Sequence, residues 1–205
     1  MRVEVIQELE AENAKLELPW VSPLDPHLRY IDLKEFPEQV EQLEECRKYP
    51  PFARLLRQIN AHGSILRSAK CDAWATGELD EDERLDFNLP FKMGSYVDVI
   101  FDRPEFNSEL SRYLRLGDQI CQALRPFRAR AQSEIAVRAC LYHSREIWGY
   151  SLTVFVHAYG ASLAAAREEW TRAIKALGNG LAGIKQGAAL SPRAYPVRGV
   201  SASHR

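Results

Sequence analysis

The 205-residue chain is 46% apolar and 27% charged, enough for one sizeable core with extensions or for two small domains. Its 27 bases nearly balance its 28 acids, and the net charge of −1 lacks the strongly basic balance expected of an obligate nucleic-acid binder. No apolar run approaches the ~18 residues of a membrane span, and the opening "MRVEVIQELEAENAKL" lacks the apolar stretch of a secretory signal. A cytoplasmic chain without membrane contact is therefore expected.

The first part, residues 1–63, reads as a helical extension. In "VEVIQELEAENAKL" Ile6, Leu9, Asn13 and Leu16 are spaced 3, 4, 3, as on one face of a helix. A proline-rich connection, "LPWVSPLDPHLRY", follows. "PEQVEQLEECRKY" predicts a short helix with Pro37 in its first turn, stopped by "YPP". "PFARLLRQINAHG" restarts it with Phe52, Leu55, Leu56 and Ile59 on one face and Gly63 suited to a left-handed terminus.

Residues 64–185 carry the clearest pattern. "ILRSAKCDAWAT" alternates, with Ile65, Ala69, Cys71, Ala73 and Ala75 on one side and Lys70, Asp72 and Trp74 on the other. In "YVDVIFD" Val97, Val99 and Phe101 oppose Tyr96, Asp98, Ile100 and Asp102. "PEFNSELSRYLRLGDQICQALRP" keeps a helical period, with Asp102 as a candidate cap and Pro126 as a stop. Alternation returns in "SEIAVRACLYH" and "IWGYSLTVFVHAY". "SLAAAREEWTRAIKALGNGLAGI" is a helix capped by Ser162, with an expected apolar stripe through Leu163, Ala166, Trp170, Ala173, Ile174, Leu177 and Leu181. Residues 186–205 lack a period and hold three bases and no acid, so they read as a disordered basic tail.

The order ββαββα, with one apolar face per element, predicts an α+β domain: a permuted ferredoxin-like unit in which a four-stranded antiparallel sheet carries two helices on one face. Numbered along the chain, its strands should lie in the order 1-2-4-3.

Between the first two strands, "TGELDEDERLDFNLP" packs six acids and one base into fifteen positions. An EF-hand beginning at Asp80 would need Gly and Glu where Leu85 and Phe91 stand, so no calcium loop is read there. Leu85, Phe87 and Leu89 alternate, which suggests a short strand and leaves the acids at a solvated hairpin tip. Cys46, Cys71, Cys121 and Cys140 form no CxxC pair and read as reduced, buried thiols. Neither a metal nor a cofactor is implied.

The face opposite the helices should display Trp74, Tyr96, Tyr142, Phe155 and Tyr159, too many aromatics for plain solvent contact. These five are the candidate interaction surface. They could be covered by the N-terminal helices, by a protein partner, most simply a second copy in a homo-oligomer, or by a ligand lying on the sheet. Asp72, Asp98 and Asp102 on the same face disfavour nucleic acid, since they repel phosphate. The expected function is a non-catalytic interaction or assembly module. The alternative is a small enzyme of dimeric α+β-barrel type, in which Asp98 orients His157 as a general base.

Overall fold

The computed structural model describes residues 1–10, 16–79, 81–143 and 146–184, with only the backbone of Asp82. The expected tail, 186–205, lies outside the described residues. The protein is α+β, built on one six-stranded mixed sheet. Its elements in chain order are β1 (Arg2–Glu8), β2 (Leu16–Leu18), a 3-10 turn (Pro37–Gln42), α1 (Glu44–Lys48), α2 (Pro50–Ile59), β3 (Leu66–Thr76), α3 (Glu81–Phe87), β4 (Phe91–Phe101), a second 3-10 turn (Pro104–Ser108), α4 (Leu110–Leu124), β5 (Ala131–Tyr142), β6 (Ile147–Gly160) and α5 (Leu163–Ala182).

The four-stranded antiparallel ferredoxin-like sheet is thereby corrected. The strands β3, β4, β6 and β5 do lie in the order expected of the second part, but the sheet continues through β1, giving β1-β5-β6-β4-β3. Both β1 and β2 run parallel to β5, end to end along its outer edge, which makes the sheet mixed. The stretch expected to be an N-terminal helix is the strand β1. Its Val3 and Val5 pack against the main core, while Arg2 and Glu4 stay exposed. A period of two therefore prevails over the spacing of three, because pairing with β5 satisfies the backbone that a helix would have satisfied internally.

α2, α4 and α5 share one face of the sheet. The apolar side of α2 (Phe52, Leu55, Leu56, Ile59) is buried as its spacing predicts, but it packs beside α5 and does not fold over the opposite face. Trp170 of α5 joins the layers: its ring meets Tyr49 edge-on at 5.7 Å and Phe52 at 6.1 Å, and its indole N–H donates to the Ser95 hydroxyl at 2.9 Å. Leu152, Val154 and Val156 of β6, Ile135 and Val137 of β5, and Val97 and Val99 of β4 supply the core from the sheet side. Ser162 caps α5 as expected, accepting from the Ala165 N–H. Asp102 does not cap α4, whose N-cap is Glu109; it instead accepts from Arg67 (2.5 Å) and pairs with Lys34 (3.0 Å). Gly63 has no positive φ; α2 ends at Asn60.

β3 holds a bulge between Ser68 and Lys70. Before it Leu66 and Ser68 face the helices, and after it Ala73 does so, which places Ala69 on the opposite face. The Ala69 carbonyl, outside the β3–β4 ladder, accepts the indole N–H of Trp20 at 2.7 Å. That bond pins the proline-rich connection to the sheet.

Candidate aromatic groove on the open sheet face

The face opposite the helices is covered at both ends by the chain itself. At one end Leu16, Leu18, Trp20 and Tyr30 bury Ala69, Ile100, Cys140 and Tyr142 in a second, smaller core. The Tyr142 hydroxyl donates to the Tyr150 carbonyl at 2.7 Å. At the other end the acidic segment forms α3. This corrects the expected extra strand with a solvated acidic tip: Glu83 is buried and accepts from Lys92 (2.6 Å) and from the Tyr159 hydroxyl (2.8 Å). Phe87 stacks on Tyr159 with centroids 3.8 Å apart, and Asp86 pairs with Arg2 of β1. Asn88, at φ 48°, ends the helix in the left-handed region that Asn tolerates, its N–H bonded to the Arg84 carbonyl. Tyr142 and Tyr159 are therefore fully engaged within the chain and do not belong to an accessible surface.

Between these two walls runs a groove whose floor follows from the strand register. One transverse row reads Arg2, Gln132, His157, Gly94, Trp74; the next Glu4, Glu134, Phe155, Tyr96, Asp72; the third Ile6, Ala136, Thr153, Asp98, Lys70. Trp74, Tyr96, Phe155 and His157 are half-buried, and their rings form a continuous chain. Centroids lie 6.5 Å apart for Trp74–Tyr96, 5.7 Å for Tyr96–Phe155, 6.2 Å for Phe155–His157 and 5.9 Å for Trp74–His157. The Arg138 guanidinium lies 5.2 Å from the Phe155 ring centre and is paired with Glu8 at 3.1 Å. Where the groove meets the wall at Trp20, a cavity of about 490 Å³ opens between that indole, Glu45, Lys70, Asp72 and Tyr96.

The electrostatics of this floor are acidic. Asp98 is buried, accepts from the Thr153 hydroxyl, and burial lifts its carboxyl from the ordinary 3.8 to about 6 against the opposing pull of Thr153, Arg138 and Lys70. Burial, and then the charge of neighbouring Glu4, push the Glu134 carboxyl upward. Burial also raises Glu45, with Asp72 adding to it, and raises the Tyr96 phenol.

The register separates the pair on which an enzyme reading depends. Asp98 stands opposite Thr153 and His157 opposite Gly94, four positions away along the strands, or about 13 Å at ~3.3 Å per residue. Cys140 lies further along still, opposite Gly149, and burial raises its thiol to about 12, far from a nucleophilic thiolate. Asp102 belongs to the ion network of Lys34, Arg67 and Asp32 at the far end of the sheet. A second cavity of about 330 Å³ lies there, but its polar groups Arg67, Asp102, Asn107 and Tyr142 are engaged with one another or with backbone. Among the described residues no group of three or more His, Cys, Asp or Glu is placed to hold a metal ion, and no helix is long and apolar enough to cross a membrane.

Of the five aromatics expected to form a surface, the structure brings Trp74, Tyr96 and Phe155 together. It adds His157, expected on this face as a catalytic candidate, and Gly94, which has no side chain to mark it. The two-residue alternation through Gly94 and Tyr96 would have placed that glycine on the same face. Comparison with protein-family models, with curated proteins and with solved structures finds no match for this chain.

Proposed function

We propose that this chain is a non-catalytic protein-interaction or assembly module whose working surface is the groove floored by Trp74, Tyr96, Phe155 and His157. The observation that carries this reading is the unbroken run of half-exposed rings on the stretch of sheet left between the Trp20 segment and α3. Large rigid rings supply contact area at low conformational cost, and such residues dominate interface energy. The walls rule out flat packing of one sheet upon another and favour a protruding segment. The simplest partner is a second copy of the chain, since closed self-association covers these rings without a further component. The four free cysteines favour a reducing compartment such as the cytoplasm.

Sedimentation velocity over a range of concentrations tests the proposal. The wild type should gain mass with concentration, and Trp74→Ala or Phe155→Ala should weaken association by about 30-fold, the equivalent of ~2 kcal/mol, while each variant keeps its fold. A wild type monomeric throughout, or variants that unfold before dissociating, would overturn it.

A further inference from the structure

We propose that the groove takes an extended segment of a partner polypeptide that presents lysine or arginine side chains to the rings. This rests on the interaction reading above and specifies the partner's chemistry.

The fold carries an electrostatic cost at this face. Glu4 and Glu134 are direct cross-strand partners on the open face, and like charges so placed disfavour the pairing. Glu8 lies two rows further along and is held by Arg138, whereas the bases of the first three rows are committed elsewhere: Arg2 to Asp86, and Lys70 to the far wall, 5.2 Å from the Trp20 ring centre. Across the groove Asp72 accepts from its neighbouring Ala73 N–H and stands near Glu45 at the rim of the cavity. The row through the centre therefore runs acid, acid, ring, ring, acid: Glu4, Glu134, Phe155, Tyr96, Asp72.

Ring faces carry negative potential and attract cations. Arg138 already occupies such a position over Phe155. An arriving ammonium or guanidinium would meet a ring face and a carboxylate together, and would relieve the Glu4–Glu134 repulsion. An acidic segment would face the carboxylates of Glu4, Glu134 and Asp72 in the central row, so the groove selects by sign. Spacing follows from the sheet: Glu134 on β5 and Asp72 on β3 are three strands apart, about 14 Å at ~4.8 Å per strand. An extended chain crossing the strands covers that distance in about four residues, so bases at positions i and i+4 would reach both acidic sides.

The test uses the full-length protein and three capped nonapeptides of alanine that carry lysine, glutamate or norleucine at the third and seventh positions, with binding followed by calorimetry. The lysine peptide should bind and the other two should not. Binding should weaken with added salt, and at least about tenfold in the Glu4→Gln/Glu134→Gln double variant and in Asp72→Asn, whose urea midpoints report that they remain folded. Equal binding of lysine and norleucine peptides, or preference for glutamate, overturns the inference. If no peptide binds while association still depends on Trp74 and Phe155, the cationic partner is wrong and the interaction reading stands; if that dependence is also missing, both fall.

Discussion

The rings of Trp74 and His157 meet at 5.9 Å although their strands, β3 and β6, are separated by β4, because the residue between them is Gly94. The indole lies where a side chain at position 94 would project: an added Cβ would come within 2.6 Å of two Trp74 ring carbons. The glycine acts here through the space it leaves, and that space lets a residue of the edge strand reach the middle of the sheet and close the aromatic chain.

Gly94→Ala should therefore displace the Trp74 ring. We expect destabilisation of about 1–3 kcal/mol from the overpacking and a red-shifted Trp74 emission, absent when the same substitution is made with Phe at position 74. Urea unfolding and fluorescence report both, and an unchanged spectrum would show that the ring does not rest on Gly94.

Glu83 stands among acids that composition alone assigns to solvent, yet it is buried against Lys92 and the Tyr159 hydroxyl. Glu83→Ala leaves the Lys92 ammonium beside a lost carboxylate and should cost about 2–4 kcal/mol. Leu85 on the same helix is 76% exposed, and Leu85→Ser should fall within about 0.5 kcal/mol of wild type. Comparable small effects at both positions would mean that α3 is not docked.

Asp98 gives a pH dependence with a definite sign. Its folded value of about 6 exceeds the ordinary 3.8, so the folded chain binds the proton more tightly than the unfolded one. Stability then declines as pH rises from about 4 to about 6, and above that window the ionised carboxylate costs up to about 3 kcal/mol. Asp98→Asn should be more stable than wild type at pH 7.5, with an advantage that shrinks towards pH 4.5. Urea midpoints at the two pH values check this, and an advantage that grows on acidification would contradict it.

The edge strand β1 can be tested by neighbouring substitutions. Val5 packs into the core while Glu4 is exposed on the other face. Val5→Ser should cost roughly 1–3 kcal/mol and Glu4→Ala less than about 0.5 kcal/mol, as measured by chemical denaturation. Equal costs would argue against the alternating strand.

Much of the fold was legible where long segments repeat one period: β4, β5, β6, α4 and α5 lie where alternation or helical spacing put them. The failures occur where the deciding partner is remote. β1 carries apolar residues compatible with either period, and only β5, more than a hundred residues away, resolves it. In α3 the alternation of Leu85 and Phe87 mimics a strand, but Phe87 is held by Tyr159, and the informative sign is Asn88 after a charged turn. The bulge at Ser68/Lys70 shifts the phase of β3 without any glycine or proline to mark it. At the site, alternation identified Trp74, Tyr96 and Phe155 as neighbours, whereas burial of Tyr142 and Tyr159 depends on an aperiodic proline-rich segment and on α3. Register also separates Asp98 from His157, although both lie on one face.

We propose that the ring-floored groove is the surface through which this chain meets its partner. Photo-cross-linking from within it is the most direct measurement: Phe155 is replaced by benzoylphenylalanine, and in a second variant Trp148, a 51% exposed aromatic at the other end of β6, is replaced in the same way. At a concentration where the wild type associates, position 155 should yield an inter-chain product and position 148 should not. No product from position 155, or equal products from both, would contradict the account.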